Sequence, residues 1–169
     1  MKKSNKTFLV AALLVLLAAL LLGWKNIAAI FNGGTASAKT TREIAMSCTL
    51  DMYTQFHIHP HLTIKINGTQ ETIPANVGVT LGCMHPIHTH DGTGEIHVES
   101  PEKRDFTLGD FFAVWDKTFT KNQILESVVD NTHEIKMTVN GEQSDEFEKL
   151  VLRDKEQIVI EYEVIENGN

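Results

Sequence analysis

Seven of the chain's eight histidines fall between residues 57 and 97. They form three groups: His57-Ile58-His59-Pro60-His61, His85-Pro86-Ile87-His88-Thr89-His90, and His97 alone. Imidazole is the commonest protein metal ligand, and residues i and i+2 of a strand point to one face. A pair so placed can share an ion if a third ligand arrives from a neighbouring strand. A nitrogen-rich set with a carboxylate suits zinc or copper(II), and nickel or iron; it suits calcium and magnesium poorly.

The spacing after His90 sharpens that expectation. Asp91-Gly92-Thr93-Gly94 separates His88-Thr89-His90 from Glu95-Ile96-His97, and Asp-Gly between extended runs signals a hairpin. A loop of two or of four residues predicts the same register, with His90 opposite Glu95 and His88 opposite His97. All four side chains then share one face, with opposed Cβ atoms roughly 4.5–5.5 Å apart. His88, His90, His97 and Glu95 are the expected ligands, with His59 and His61, and behind them His57, as donors that could complete the shell.

Cys48 and Cys83 are the only cysteines. Outside a reducing cytosol such a pair is read as a disulfide, which would tie the segment before the first histidine group to the one entering the second. The alternative is a thiolate site for copper(I), built from Cys83-Met84-His85 with Met46 or Met52.

These residues need a scaffold and an address. Lys2, Lys3 and Lys6 precede an apolar run over residues 8–24, near the lower limit for a helix spanning a bilayer. Positive charge before the run holds the N-terminus inside and sends the rest outside. Residues 1–31 are thus read as a single-pass membrane anchor. A cleaved signal peptide is the alternative, because Ala36-Ser37-Ala38 resembles a cleavage site. That site lies far from the apolar core, which favours the anchor. Residues 32–41 form a small-residue linker, and residues 42–169 are the right size for one extracytoplasmic domain. Beyond residue 38 the chain holds all 22 acidic residues against 11 of the 15 basic ones, a net of −11. That argues against nucleic acid as a partner and leaves a metal ion and the membrane as the expected ones. A protein partner is not indicated.

The domain reads as α+β, mostly antiparallel hairpins around one principal amphipathic helix. Residues 56–67 alternate and end in Asn67-Gly68, a hairpin signal repeated at Asn140-Gly141. Thr107 and Asp110 make a capping box for a helix whose apolar stripe comprises Leu108, Phe111, Phe112, Trp115 and Phe119. Residues 124–129 fit a helical turn or a strand. Residues 134–139 and 157–165 alternate as strands, and the C-terminal pattern predicts a β-grasp-like arrangement with the helix laid on a mixed sheet.

Residues 56–119 resemble an uncharacterised family of small exported or membrane-anchored proteins of bacteria and archaea. The resemblance is carried by residues 56–68 (Phe56 to Gly68), Ile73-Pro74-Ala75, His88-Thr89-His90-Asp91, residues 94–101 with His97, and residues 107–112 with Trp115. It implies export and similar domain limits, and no chemistry. Gly82, His88, His90 and Glu95 are also similar to the first metal-binding motif of cupins, although Glu102 stands where that motif closes on glycine and no second motif follows. That likeness implies a metalloenzyme whose ion is held by three histidines and a glutamate. The chain is accordingly read first as an anchored domain that stores, delivers or structurally uses a transition metal. The alternatives are the cupin-like enzyme, which would need a concave apolar cleft beside the metal, and a metal-free interaction module whose histidines sense pH.

Overall fold

A computed structural model of the protein describes residues 38–49 and 54–165. The expected membrane anchor, and the linker up to residue 37, lie outside these residues. Among the described residues no helix is long and apolar enough to cross a membrane. Lys39–Asn169 forms one compact unit.

This unit is an α+β domain of mostly antiparallel strands and few short helices. In chain order the elements are α1 (Thr41–Ala45), β1 (Phe56–Ile58), β2 (His61–Ile66), β3 (Thr69–Glu71), β4 (Val79–Thr80), β5 (Cys83–Met84), β6 (Ile87–His88), β7 (His97–Ser100) and α2 (Leu108–Val114). They continue with β8 (Phe119–Thr120), β9 (Gln123–Ile124), β10 (Ser127–Val128), β11 (His133–Val139), β12 (Glu142–Gln143), a 3-10 turn (Phe147–Lys149) and β13 (Gln157–Val164).

The largest sheet has the order β12-β11-β13-β2-β3. Its last strand, β13, runs parallel to its first, β2, with Ile160 opposite Ile64, and antiparallel to β11. Alternation puts Leu62, Ile64, Ile135, Met137, Ile158 and Ile160 into the core. Asn67 and Gly68, and again Asn140 and Gly141, take positive φ. The Asn-Gly signals therefore mark tight turns of the primed type, as expected.

Residues 56–66 do not form the single strand that their alternation predicts. The run breaks at His59-Pro60: β1 joins the three-stranded sheet β1-β7-β6, while β2 joins the five-stranded one. Pro60 has no N–H to give a ladder, and its carbonyl accepts from Ile96 N at 2.9 Å. One hydrophobic run thus feeds two sheets, with the first histidine group at the junction.

Helix α2 begins as predicted, with Thr107 and Asp110 capping each other. It ends earlier than its stripe suggests. Asp116 adopts φ +58°, and Lys117 N donates to Phe112 O at 2.9 Å while Asp116 N donates to Ala113 O at 3.2 Å. That is a Schellman stop. Phe119 therefore sits on β8, where its ring packs 4.7 Å from that of Phe112. Residues 123–128 resolve as the strands β9 and β10 around Leu125, which also has positive φ.

Arg42 of α1 reaches Asp110 Oδ1 at 2.9 Å and donates to Gly109 O at 2.8 Å. It pins α1 to the start of α2, and α2 in turn contacts β6. Buried Leu108, Phe111 and Phe112 belong to the same core as the five-stranded sheet. Each such side chain contributes about 1.5–3 kcal/mol to holding α2 on that core.

Candidate metal centre

Strand β7 is the middle of the histidine sheet. On one side His97 pairs with His88 of β6; on the other Glu99 pairs with His57 of β1. Ile58 and Val98, one residue out of phase, point into the core. Period-two alternation therefore gathers His57, His88, His97 and Glu99 on the face opposite Ile58 and Val98. His59 follows in phase just past the end of β1.

The expected register is present at His88 and His97 but stops there. Residues 89–96 form a longer connection than the two- or four-residue loop predicted. Thr89 N and Thr89 Oγ1 donate to Val77 O and Pro74 O at 3.0 and 2.8 Å. Leu62 N donates to Gly94 O at 2.9 Å, so Glu95 bridges to His61 instead of facing His90. Gly94 allows this crossing: its φ is +92°, and a Cβ there would lie 2.3 Å from Leu62 O. Gly78 does the same over His88, since a Cβ would come within 2.7 Å of Ile87 O.

Two groups result, sharing His97. In His88, His90, His97 and Glu99, and in His57, His59 and His97, one ligand atom from each residue lies within 4.8 Å of all the others. Either group could hold a metal ion. Four donors around a tetrahedral zinc lie about 3.3 Å apart, and the Nε2 atoms of His88 and His90 are already 3.2 Å apart.

His88 is fully buried. Its Nδ1 lies 2.9 Å from His85 O; a carbonyl only accepts, so Nδ1 carries the proton and Nε2 is left bare. Such a second partner fixes tautomer and ring orientation at metal-binding histidines. Burial pushes the His88 imidazole down to about 4, partly offset by the His85 carbonyl and Glu99. Burial lowers His97 as well, helped by the neighbouring His90 and His59. Both rings are thus held neutral, the form that binds metal. Without an ion, His90 can donate to bare His88 Nε2, and that pair is satisfied.

His97 is not. Its Nε2 lies 3.3 Å from Glu95 Oε1, but its Nδ1 is the one buried side-chain nitrogen or oxygen among the described residues without a hydrogen-bond partner. Glu99 Oε1 lies 3.8 Å away, too far to bond. An orphan of this kind costs about 1–3 kcal/mol, and a cation between the two groups would remove the deficit.

No family model, curated protein or solved structure matches the chain. Function must therefore be read from the site itself.

The structure brings together His57, His59, His88, His90 and His97 of the residues singled out in the sequence. Glu95 touches His97 but stands outside both groups, and His61 faces Glu95 across the bridge. His85 turns away, its Nδ1 3.1 Å from Ala45 O. Glu99, the carboxylate of the first group, is the member that the hairpin reading misses, because that reading stops at His97. Its position two residues after His97 is the available signal.

Cys48 and Cys83 are disulfide-bonded, with Cα atoms 5.4 Å apart, and Thr49 pairs with Met84 beside them. No free cysteine remains for a thiolate site. Asp154 Oδ1 accepts from His59 N at 2.9 Å, holding the end of β1. A cavity of about 270 Å³ lies on the reverse of β1, lined by Phe56, Ile58 and Leu152 with Lys103, Arg153 and Asp154. No histidine lines it, although Asp154 stands both in its wall and beside His59.

Proposed function

We propose that the domain binds a borderline divalent transition ion, zinc or copper(II), through His88, His90 and His97 with Glu99 as the carboxylate. The observation that carries this is the buried, unpartnered His97 Nδ1 beside the neutral ring of His88. His90 is exposed, so the ion is reachable from solvent. That access suits acquiring and handing over metal. No histidine lines the cavity beside β1, and an enzyme reading would need an apolar cleft at the ion itself. The disulfide is consistent with an oxidising, extracytoplasmic compartment, and residues 1–31 are proposed as the single-pass anchor that places the domain there. The parallel pairing of first and last strands in the five-stranded sheet supports reading its scaffold as β-grasp-like.

The test is metal content and affinity of the full chain purified in detergent. Zinc or copper should bind, and His88→Ala or His90→Ala should weaken binding by about a hundredfold or more. Losing a direct ligand costs more than the roughly 10–100-fold typical of losing a group that only orients one. His133, paired with Asp130 on another sheet, is the control, and His133→Ala should bind as the parent does. Unchanged affinity in both ligand variants would sink the proposal, and a parent chain that binds neither metal would leave the metal-free pH-sensing module in its place.

A further inference from the structure

More donors surround His97 than one ion can use. Four other imidazoles have ring centroids 4.5 Å (His90), 4.6 Å (His59), 5.5 Å (His88) and 5.8 Å (His57) from that of His97. A tetrahedral ion takes four donors, and His88, His90, His97 and Glu99 supply them. His57 and His59 are left over, and they are not dispersed: their rings lie 4.3 Å apart. The backbone of His59 is fixed by Asp154. The two imidazoles lie side by side at a strand end, off the apolar core, with their ligand atoms converging on that of His97.

Glu99 is not one of the convergent trio His57, His59 and His97, but it reaches that trio through His57. Its Oε1 is 3.1 Å from His57 Nε2, while the same carboxylate belongs to the group of His88 and His90. A carboxylate has two oxygens and about four lone-pair sites, so it can hold one ion with each oxygen. Two-ion sites of this type place their metals about 3.5–4 Å apart. The acidic side chains Glu95, Glu99 and Asp154 all border the cluster and offset the added positive charge.

We infer that the domain carries a two-ion centre, in which a second borderline divalent ion is held by His57, His59 and one oxygen of Glu99, and Glu99 bridges it to the first. This rests on the proposed function, since the first ion occupies the site described there. The second ion has three protein donors and a solvent-facing position, with the His57 side chain 44% exposed. It is therefore the weaker and more readily exchanged of the two.

Stoichiometry decides the matter. The chelator-stripped full chain is titrated with zinc and counted by elemental analysis and native mass spectrometry, then loaded with copper(II) for electron paramagnetic resonance. Two ions per chain are expected, with a spin-coupled copper signal. The His57→Ala/His59→Ala double variant should fall to one ion, lose the coupling, and keep the affinity of the remaining site within about threefold. His133→Ala should still hold two. One ion per chain at saturation in the parent, or a second ion that survives in the double variant, overturns the two-ion centre while leaving the proposed function standing. No bound ion overturns both.

Discussion

The two main sheets each present one polar face outward, and they solve it in opposite ways. On the five-stranded sheet the outward positions carry charges of both signs in register. Lys65 Nζ meets Glu161 Oε1 at 2.9 Å, and Lys136 Nζ meets Glu163 and Glu134 at 2.6 and 3.3 Å. Each of those acids has a cation from the chain itself. On the three-stranded sheet the same alternation collects imidazoles and a glutamate and no lysine or arginine: His57, His88 and His97 with Glu99. One face pairs its acids with lysines of the chain; the other gathers donors with no lysine or arginine among them. That difference, and not the histidine count, is what makes the second face one that could hold a metal ion.

The contrast extends to what each sheet is for, and the largest effect should separate them. Ile160, fully buried opposite Ile64 and Met137, belongs to the five-stranded sheet alone. Ile160→Ala should cost about 2–5 kcal/mol of stability by cavity formation, measured by denaturant unfolding, while the folded fraction keeps its zinc affinity. Loss of affinity without loss of stability would show that the two sheets are not separable in this way.

Acid should act on the histidine sheet in the metal-free chain. His88 is depressed by burial to about 4 in the folded state, against about 6.5 when unfolded. Between those values the unfolded chain binds a proton that the folded chain does not, so stability falls as pH drops from about 6.5 to about 4. The full depression is worth on the order of 3 kcal/mol. In His88→Leu that slope should flatten when unfolding is followed across this pH range in the presence of chelator. An unchanged slope would place the titrating group elsewhere.

The smallest effect lies on the paired face. Lys65 and Glu161 are both a little over one-third exposed, and surface pairs of this kind contribute roughly 0–1 kcal/mol. Lys65→Ala should lower the melting temperature by no more than a few degrees and leave metal binding unaltered. A much larger loss would mean that the face is held together by its charges, which would weaken the contrast with the histidine sheet.

Much of the architecture is legible in the sequence because the signals are local. Asn67-Gly68 and Asn140-Gly141 mark their turns through backbone conformation, and Thr107 with Asp110 marks the start of α2 through side-chain capping. Alternation over residues 134–139 and 157–165 identifies two long strands. The stop of α2 at Asp116 is hidden because Phe119 continues the helical spacing while belonging to the next strand. The break at Pro60 is hidden because His57, His59 and His61 keep one alternating phase across it.

For the site, the sequence by itself determined the ligand chemistry and one cross-strand pair. His88 opposite His97 follows from a local reversal of the chain, and imidazole identity needs no fold. Tertiary structure alone decided which donors converge. His57 and His59 join the cluster because β1, from a distant part of the chain, lies against β7, and Glu95 is drawn to His61 by the crossing at Gly94. His88 is buried where the chain passes close over it at Gly78. Pairings between distant segments depend on where every apolar face finds its partner, and that balance is not written at any one position.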